Sequence, residues 1–270
     1  MSEDGRSVGG GRRPSPGLID AHAHLTDERF TADIDATLER AAAAGVSRIV
    51  SCGEDIASSE RAVALAQRSP HVLAAVGIHP HRAPTADADA LRRLRDLASE
   101  PGVAAIGEIG IDLSGRSAPR ADQERAMAAQ LELAAEMGLP VCIHVRDSGE
   151  VVRALLDRVK GARGYVHCYS EGPEQVDEWI GRGFLISLAG TVTYRGSERL
   201  RAAAARIPAD RLLLETDAPA LAPQPRRGTR NEPAFVTFTY DEVARIRGVA
   251  PAGLVELVRR NAASLFGARW

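Results

Sequence analysis

His22 and His24 stand two residues apart in the run Leu18-Ile19-Asp20-Ala21-His22-Ala23-His24-Leu25. A strand alternates its side chains between two faces, so Asp20, His22 and His24 share one face while Ile19, Ala21 and Ala23 take the other. Two neutral imidazoles on a rigid strand can hold one metal ion at little ordering cost, and imidazole suits zinc and its neighbours. An isolated His-x-His is more often a pair of ordinary polar side chains on a half-buried strand. Whether this one binds metal therefore depends on what the rest of the chain supplies.

Ligand-type residues recur downstream, each at or just past the end of a short apolar run: His79, Glu108, His144, His167 and Asp217. Counting His81, which reads as a plain loop histidine, six of the seven histidines fall at such positions; only His71 does not. His22, His24, His144, His167, Glu108 and Asp217 are too many ligands for one catalytic ion, which keeps a coordination position open. They suit two divalent ions about 3.5–4 Å apart, an arrangement used for hydrolysis and phosphoryl transfer. The expected assignment is His22, His24 and Asp217 on one ion and His144 and His167 on the other, with Glu108 bridging. Water shared by two divalent cations loses a proton near neutral pH, and Asp217, facing it, is the candidate base. The donor set does not separate zinc from magnesium or manganese. Asp20 shares the histidines' face but lies deeper, so it is expected to orient them rather than to ligate.

The elements that must position these groups follow from patterning. Strands are predicted over 18–25, 46–52, 72–77, 103–109, 140–145, 164–168, 184–188 and 212–215. Between them helices are predicted over 31–44, 57–68, 87–99, 121–137, 149–159, 173–181 and 197–206, with two more over 233–247 and 251–265. Gly45 and Gly138 supply helix stops. Continuously apolar strands are buried on both faces, as in a parallel sheet covered by helices. Eight such units predict a single-domain (β/α)₈ barrel of TIM type, whose active sites lie at the carboxyl ends of the strands. An open doubly wound sheet is disfavoured, since no Gly-x-Gly-x-x-Gly turn follows the first strand.

Bulk properties agree. The chain has 270 residues, near the roughly 250 of such barrels. It is 44% hydrophobic but only 4% aromatic, so its core must be built from Ala, Val, Leu and Ile. A net charge of −2 rules out whole-molecule attraction to a polyanion, and any such site must be a local patch. Lys160 is the only lysine. Cys52, Cys142 and Cys168 are odd in number and lie in or beside apolar strands, the pattern of reduced buried thiols in a cytoplasmic protein. Residues 1–16 are rich in Gly, Ser, Pro and Arg and read as a disordered leader without a secretion signal; the barrel is expected over 17–270.

Several segments together resemble the TatD-like DNases, metal-dependent hydrolases of the amidohydrolase superfamily. They are Ile19 through His24, Gly77-Ile78-His79-Pro80, Gly107-Glu108-Ile109-Gly110-Ile111-Asp112, Pro140 through Arg146, and His167-Cys168-Tyr169-Ser170. Leu214 through Pro219, Arg230-Asn231-Glu232-Pro233, Asn261 and Leu265-Phe266-Gly267 complete the match, in the family's order over residues 19–267. The resemblance implies a TIM-type barrel, two divalent ions on the six residues named, and hydrolysis of DNA, often as a 3′-5′ exonuclease. It also implies that His79 and Arg146 line the substrate pocket, and that Glu215, Asn231 and Glu232 support the ligands and loops. The chain departs from the family pattern at Leu113, at Ala126-Met127 and at Glu171, where an acid near the phosphate path should weaken DNA binding.

Two other functions compete. A hydrolase of small phosphoesters, esters or lactones could use the same barrel, but many such enzymes bridge their metals with a carboxylated lysine on strand 4. Here Glu108 holds that place and Lys160 falls in or after a helix. A non-catalytic scaffold would be expected to have lost a ligand, and none is missing.

Overall fold

Eight short apolar segments form the strands, each buried along nearly its whole length. In the computed structural model, which describes residues 17–115 and 117–270, they are β1 (Leu18–Ala23), β2 (Val46–Cys52), β3 (Val72–Val76), β4 (Val103–Asp112), β5 (Val141–Arg146), β6 (Gly164–Val166), β7 (Leu185–Leu188) and β8 (Leu212–Leu214). The expected leader, residues 1–16, lies outside the described residues. All neighbours pair in parallel and in chain order. Helices α1 (Ile34–Ala43), α2 (Ile56–Arg68), α3 (Ala88–Ala98), α4 (Arg120–Met137), α5 (Gly149–Leu156), α6 (Val176–Ile180) and α7 (Glu198–Arg206) alternate with the strands. α8 (Val236–Arg247) and α9 (Pro251–Phe266) close the chain. This is the (β/α)₈ barrel that the patterning predicts. No helix among the described residues is long and apolar enough to cross a membrane.

The seam between first and last strands is closed just beyond β8. The His24 N–H donates to the Ala218 carbonyl (2.6 Å), and the Asp217 N–H to that of His22 (3.0 Å). Inside the seam the Asp20 carboxylate accepts from the Thr216 N–H (2.9 Å) and hydroxyl (2.6 Å). On α8, the Tyr240 hydroxyl accepts from the Ile19 N–H and donates to the Ile19 carbonyl. These contacts fix where Asp217 stands relative to His22 and His24.

The core is aliphatic, with Tyr165, Tyr169, Trp179, Phe30 and Phe184 as its large fully buried rings. Several elements are shorter than their patterning suggests. The helix expected over 173–181 is a 3₁₀ turn (Pro173–Gln175) followed by five α-helical residues, and 233–247 likewise opens with a 3₁₀ turn at Pro233–Phe235. In both, proline opens the 3₁₀ turn, a position it tolerates. β6 and β8 stop early because Cys168 and Asp217 adopt positive φ (42° and 58°), a turn that ordinary strand residues do not make. In contrast β4 runs on to Asp112, three residues beyond expectation.

Candidate metal centre

β1 presents His22 and His24 to the barrel mouth, with a register irregularity between Asp20 and Ala23. Their Nε2 atoms lie 3.1 Å apart. Glu108 Oε2 is 3.3 Å from His22 Nε2 and 3.2 Å from His24 Nε2. Asp217 Oδ1 is 3.7 and 3.6 Å from the same two nitrogens. Donors about 2.1 Å from a tetrahedral ion are separated by about 3.4 Å. The four atoms therefore outline a hole of cation size.

The other oxygen of Glu108 meets a second set. Oε1 is 2.7 Å from His144 Nδ1 and 2.7 Å from His167 Nε2, which are 3.2 Å from each other. His79 Nε2 stands 3.4 Å from the same oxygen. Glu108 can reach both sets because β4 slips register against β5 between Ile106 and Ile109, and such irregularities re-aim side chains. Gly110 permits the close approach: with φ near +152°, a β-carbon there would lie 2.0 Å from the His144 carbonyl oxygen.

Outer contacts fix the imidazoles. His24 Nδ1–H donates to the Cys52 carbonyl (3.2 Å), and His167 Nδ1–H to Glu215 Oε1 (3.3 Å), leaving each Nε2 free to ligate. The same Glu215 oxygen accepts from the Cys168 N–H (2.7 Å). His144 is turned round, with Nδ1 toward Glu108 and Nε2 3.5 Å from Asp112 Oδ2. His22 Nδ1 faces two thiols, Cys142 Sγ at 3.1 Å and Cys52 Sγ at 3.3 Å. Asp20 occupies the expected inward face but touches neither imidazole ring. It accepts instead from the Thr216 N–H and hydroxyl and, at 3.3 Å, from the His22 N–H.

The electrostatics ask for positive charge. Burial by itself disfavours protonated imidazole, yet the neighbours outweigh it: Cys142 and Glu108 raise His22 to about 9, and the carboxylates of Asp217 and Glu108 beside His24, and of Glu108 and Glu215 beside His167, hold both well above the ordinary histidine range. Burial likewise opposes ionisation of Glu108 and Asp217, but the surrounding imidazoles hold Asp217 below the usual carboxyl range and Glu108 well below it. His79 goes the other way, lowered chiefly by burial. A divalent cation satisfies the same demand without protons, and Glu108 Oε2, buried with no hydrogen-bond partner, is the atom it would complete. The residues present fit such a group.

The chain matches the family model described as TatD related DNase over residues 19–267. It belongs to that family. It is 41% identical over 259 residues to the 3′-5′ ssDNA/RNA exonuclease TatD of Cronobacter sakazakii, covering 92% of this chain and 97% of that one. It is 34% identical over 251 residues to YabD of Bacillus subtilis, named an uncharacterized metal-dependent hydrolase, at 92% and 98% coverage. The crystal structure of YJJV, a TatD homolog from Escherichia coli, superposes with a TM-score of 0.88 at 29% identity, over 93% of this chain and 98% of that one.

Of the two residues that the TatD resemblance assigns to a substrate pocket, only His79 lines the cleft above the centre. The cleft, about 250 Å³, is also walled by Asp27, Glu54, His81, Pro219 and Ala220. Arg146 ends β5 on the exposed rim and is not among the lining residues. Glu171, whose acid was expected to repel phosphate, is neutralised instead: it accepts from Arg153 (3.0 Å) and from Trp179 Nε1 (2.6 Å). Asp112 and His81 form a pair that patterning alone does not single out, His81 Nε2 lying 3.1 Å from Asp112 Oδ2. A signal does exist for Asp112: it follows Glu108 at intervals of two along β4, on the same face. None exists for Cys52 and Cys142, which meet at His22 from non-adjacent strands.

Proposed function

We propose that this chain is a metal-dependent hydrolase that uses two divalent cations to cleave phosphodiester bonds, acting from the 3′ end of single-stranded DNA. One observation carries the reading: the two oxygens of Glu108 face separate imidazole pairs, His22 with His24 and His144 with His167. Asp217 completes the first set. The names of the Cronobacter and Bacillus relatives support the substrate and the metal dependence. The unpaired cysteines accord with a cytoplasmic setting.

Bound cations would supply a water that is deprotonated near neutral pH and would neutralise phosphate charge. The chain's own residues do the rest. Glu108 holds the two sets in register. Asp217, kept anionic by the imidazoles beside it, accepts a proton within the cleft. Asp112 restrains His81 and His144, while buried His79, whose pKa is depressed, offers phosphate a wall without fixed charge. Replacing both His22 and His24 by Ala should remove metal and oligonucleotide cleavage together. Unchanged cleavage in that variant sinks the proposal.

A further inference from the structure

Arginine is the chain's dominant cation, and over most of the surface it is spent on ion pairs. Examples are Arg93 with Glu60 (2.7 Å), Arg182 with Asp157 (2.7 Å) and Arg245 with Glu242 (2.7 Å). Among the described residues, the arginines that meet neither a carboxylate nor a carbonyl concentrate at or past strand ends: Arg82, Arg146, Arg195, Arg226 and Arg227. Away from there only Arg61, Arg158 and Arg260, on or after helices, are similarly unengaged.

Three of the five sit on one structure. The segments after β7 and β8 are joined: the Gln224 N–H donates to Thr193 Oγ1 (2.7 Å), and the Tyr194 hydroxyl donates to the Ala222 carbonyl (2.9 Å). Gly190 allows them to lie flush, since a β-carbon there would stand 3.0 Å from the Leu221 oxygen. Together they make a shelf that begins where the cleft wall ends, at Pro219 and Ala220. Leu221, one of the few large hydrophobic residues left exposed, stands at that junction. Beyond it the Arg227 guanidinium lies 4.2 Å over the Tyr194 ring, and that of Arg226 lies 5.2 Å over Phe235 and 5.8 Å over Phe238. Arg195 is exposed beside them.

An aromatic ring beneath a guanidinium holds its plane while leaving N–H edges available to phosphate, and the outer face of the plane can stack an unpaired base. Charge of one sign, planar stacking groups and an apolar contact in a row are what an unpaired polynucleotide strand needs; a duplex offers no free base faces. We infer that the shelf formed by residues 190–197 and 221–230 carries the nucleotides preceding the scissile bond of a single-stranded nucleic acid, with Arg195, Arg226 and Arg227 on successive phosphates. This rests on the proposed phosphodiesterase reading, and it assigns the strand's course away from the metal centre.

The test is binding of 5′-fluorescein-labelled oligothymidylate of ten nucleotides, followed by anisotropy in EDTA. Cleavage is then silent, so the shelf is judged apart from the chemistry; failure to cleave with metal added would count against the proposed function alone. Replacing Arg195, Arg226 and Arg227 by Gln should weaken binding at least tenfold. It should also flatten the salt dependence by about two in log–log slope, at about 0.7 for each phosphate no longer neutralised. A control triple, Arg158, Arg211 and Arg260 to Gln, removes the same charge elsewhere and should stay within twofold of the parent. The inference is overturned if the parent does not bind the strand, if the shelf triple stays within twofold, or if the control loses as much as the shelf.

Discussion

Glu108 is the side chain on which both halves of the proposed centre depend, because each of its oxygens faces different imidazoles. Glu108→Gln keeps the shape but leaves one oxygen where two stood, so metal content should fall below two ions per chain and cleavage should be lost; two retained ions by elemental analysis would contradict the bridge. Glu215→Gln loosens the contacts to His167 and to the Cys168 N–H and should weaken metal affinity by on the order of 10–100-fold, read by competition with a chelator. Protonation gives a further test at this scale. His22 is raised to about 9 and His24 and His167 also lie above their ordinary range, so metal-free protein gains stability from these protons below about pH 6.5. That contribution disappears as the pH rises through the folded-state values. The melting temperature of the metal-free protein should therefore drop between about pH 6.5 and 9. Metal affinity should rise over the same window as protons cease to compete. Melting curves with and without EDTA would show it, and a metal-free protein that gains stability toward pH 9 would refute it.

At the scale of elements, the centre exists because β4 bends away from regular pairing and the seam beyond β8 is pinned. Gly110→Ala places a β-carbon against the His144 carbonyl in a backbone region closed to other residues. It should cost at least about 2 kcal/mol in chemical denaturation, and a neutral result would show that β4 has room to move. Asp20→Ala leaves the buried Thr216 N–H without its acceptor, a loss of about 1–3 kcal/mol. The strands were legible in the sequence because a segment buried on both faces must be apolar throughout, and eight in alternation leave few architectures. His22, His24 and the other ligand-type residues were legible because a strand end fixes where a side chain points. The limits of α6, β6 and β8 were not, since they turn on Pro173 and on the positive φ of Cys168 and Asp217, which local pattern does not encode. Nor was the partner of Glu171, because Arg153 and Trp179 come to it from separate helices.

For the whole molecule, charge is arranged rather than accumulated: a net charge of −2 coexists, among the described residues, with arginines at one end of the barrel that meet no carboxylate. The same end is braced by an ion-pair group linking the segment after β1 to that after β8, in which Arg230 and Arg40 both hold Asp33 and Arg40 also holds Glu232. The Arg230 guanidinium keeps the Asp33 carboxyl far below its ordinary range. Its contribution is present above the unfolded value of about 3.9 and vanishes as the pH falls further, so Asp33→Asn should lower the melting temperature at pH 7 and matter progressively less below pH 4. A variant equally destabilised at pH 7 and pH 2 would contradict this. The proposed binuclear centre is tested most directly by equilibrium dialysis against zinc or manganese with elemental analysis. It predicts two ions per chain, with cleavage of a 3′-labelled single strand tracking the second. One ion per chain at full cleavage activity would contradict it.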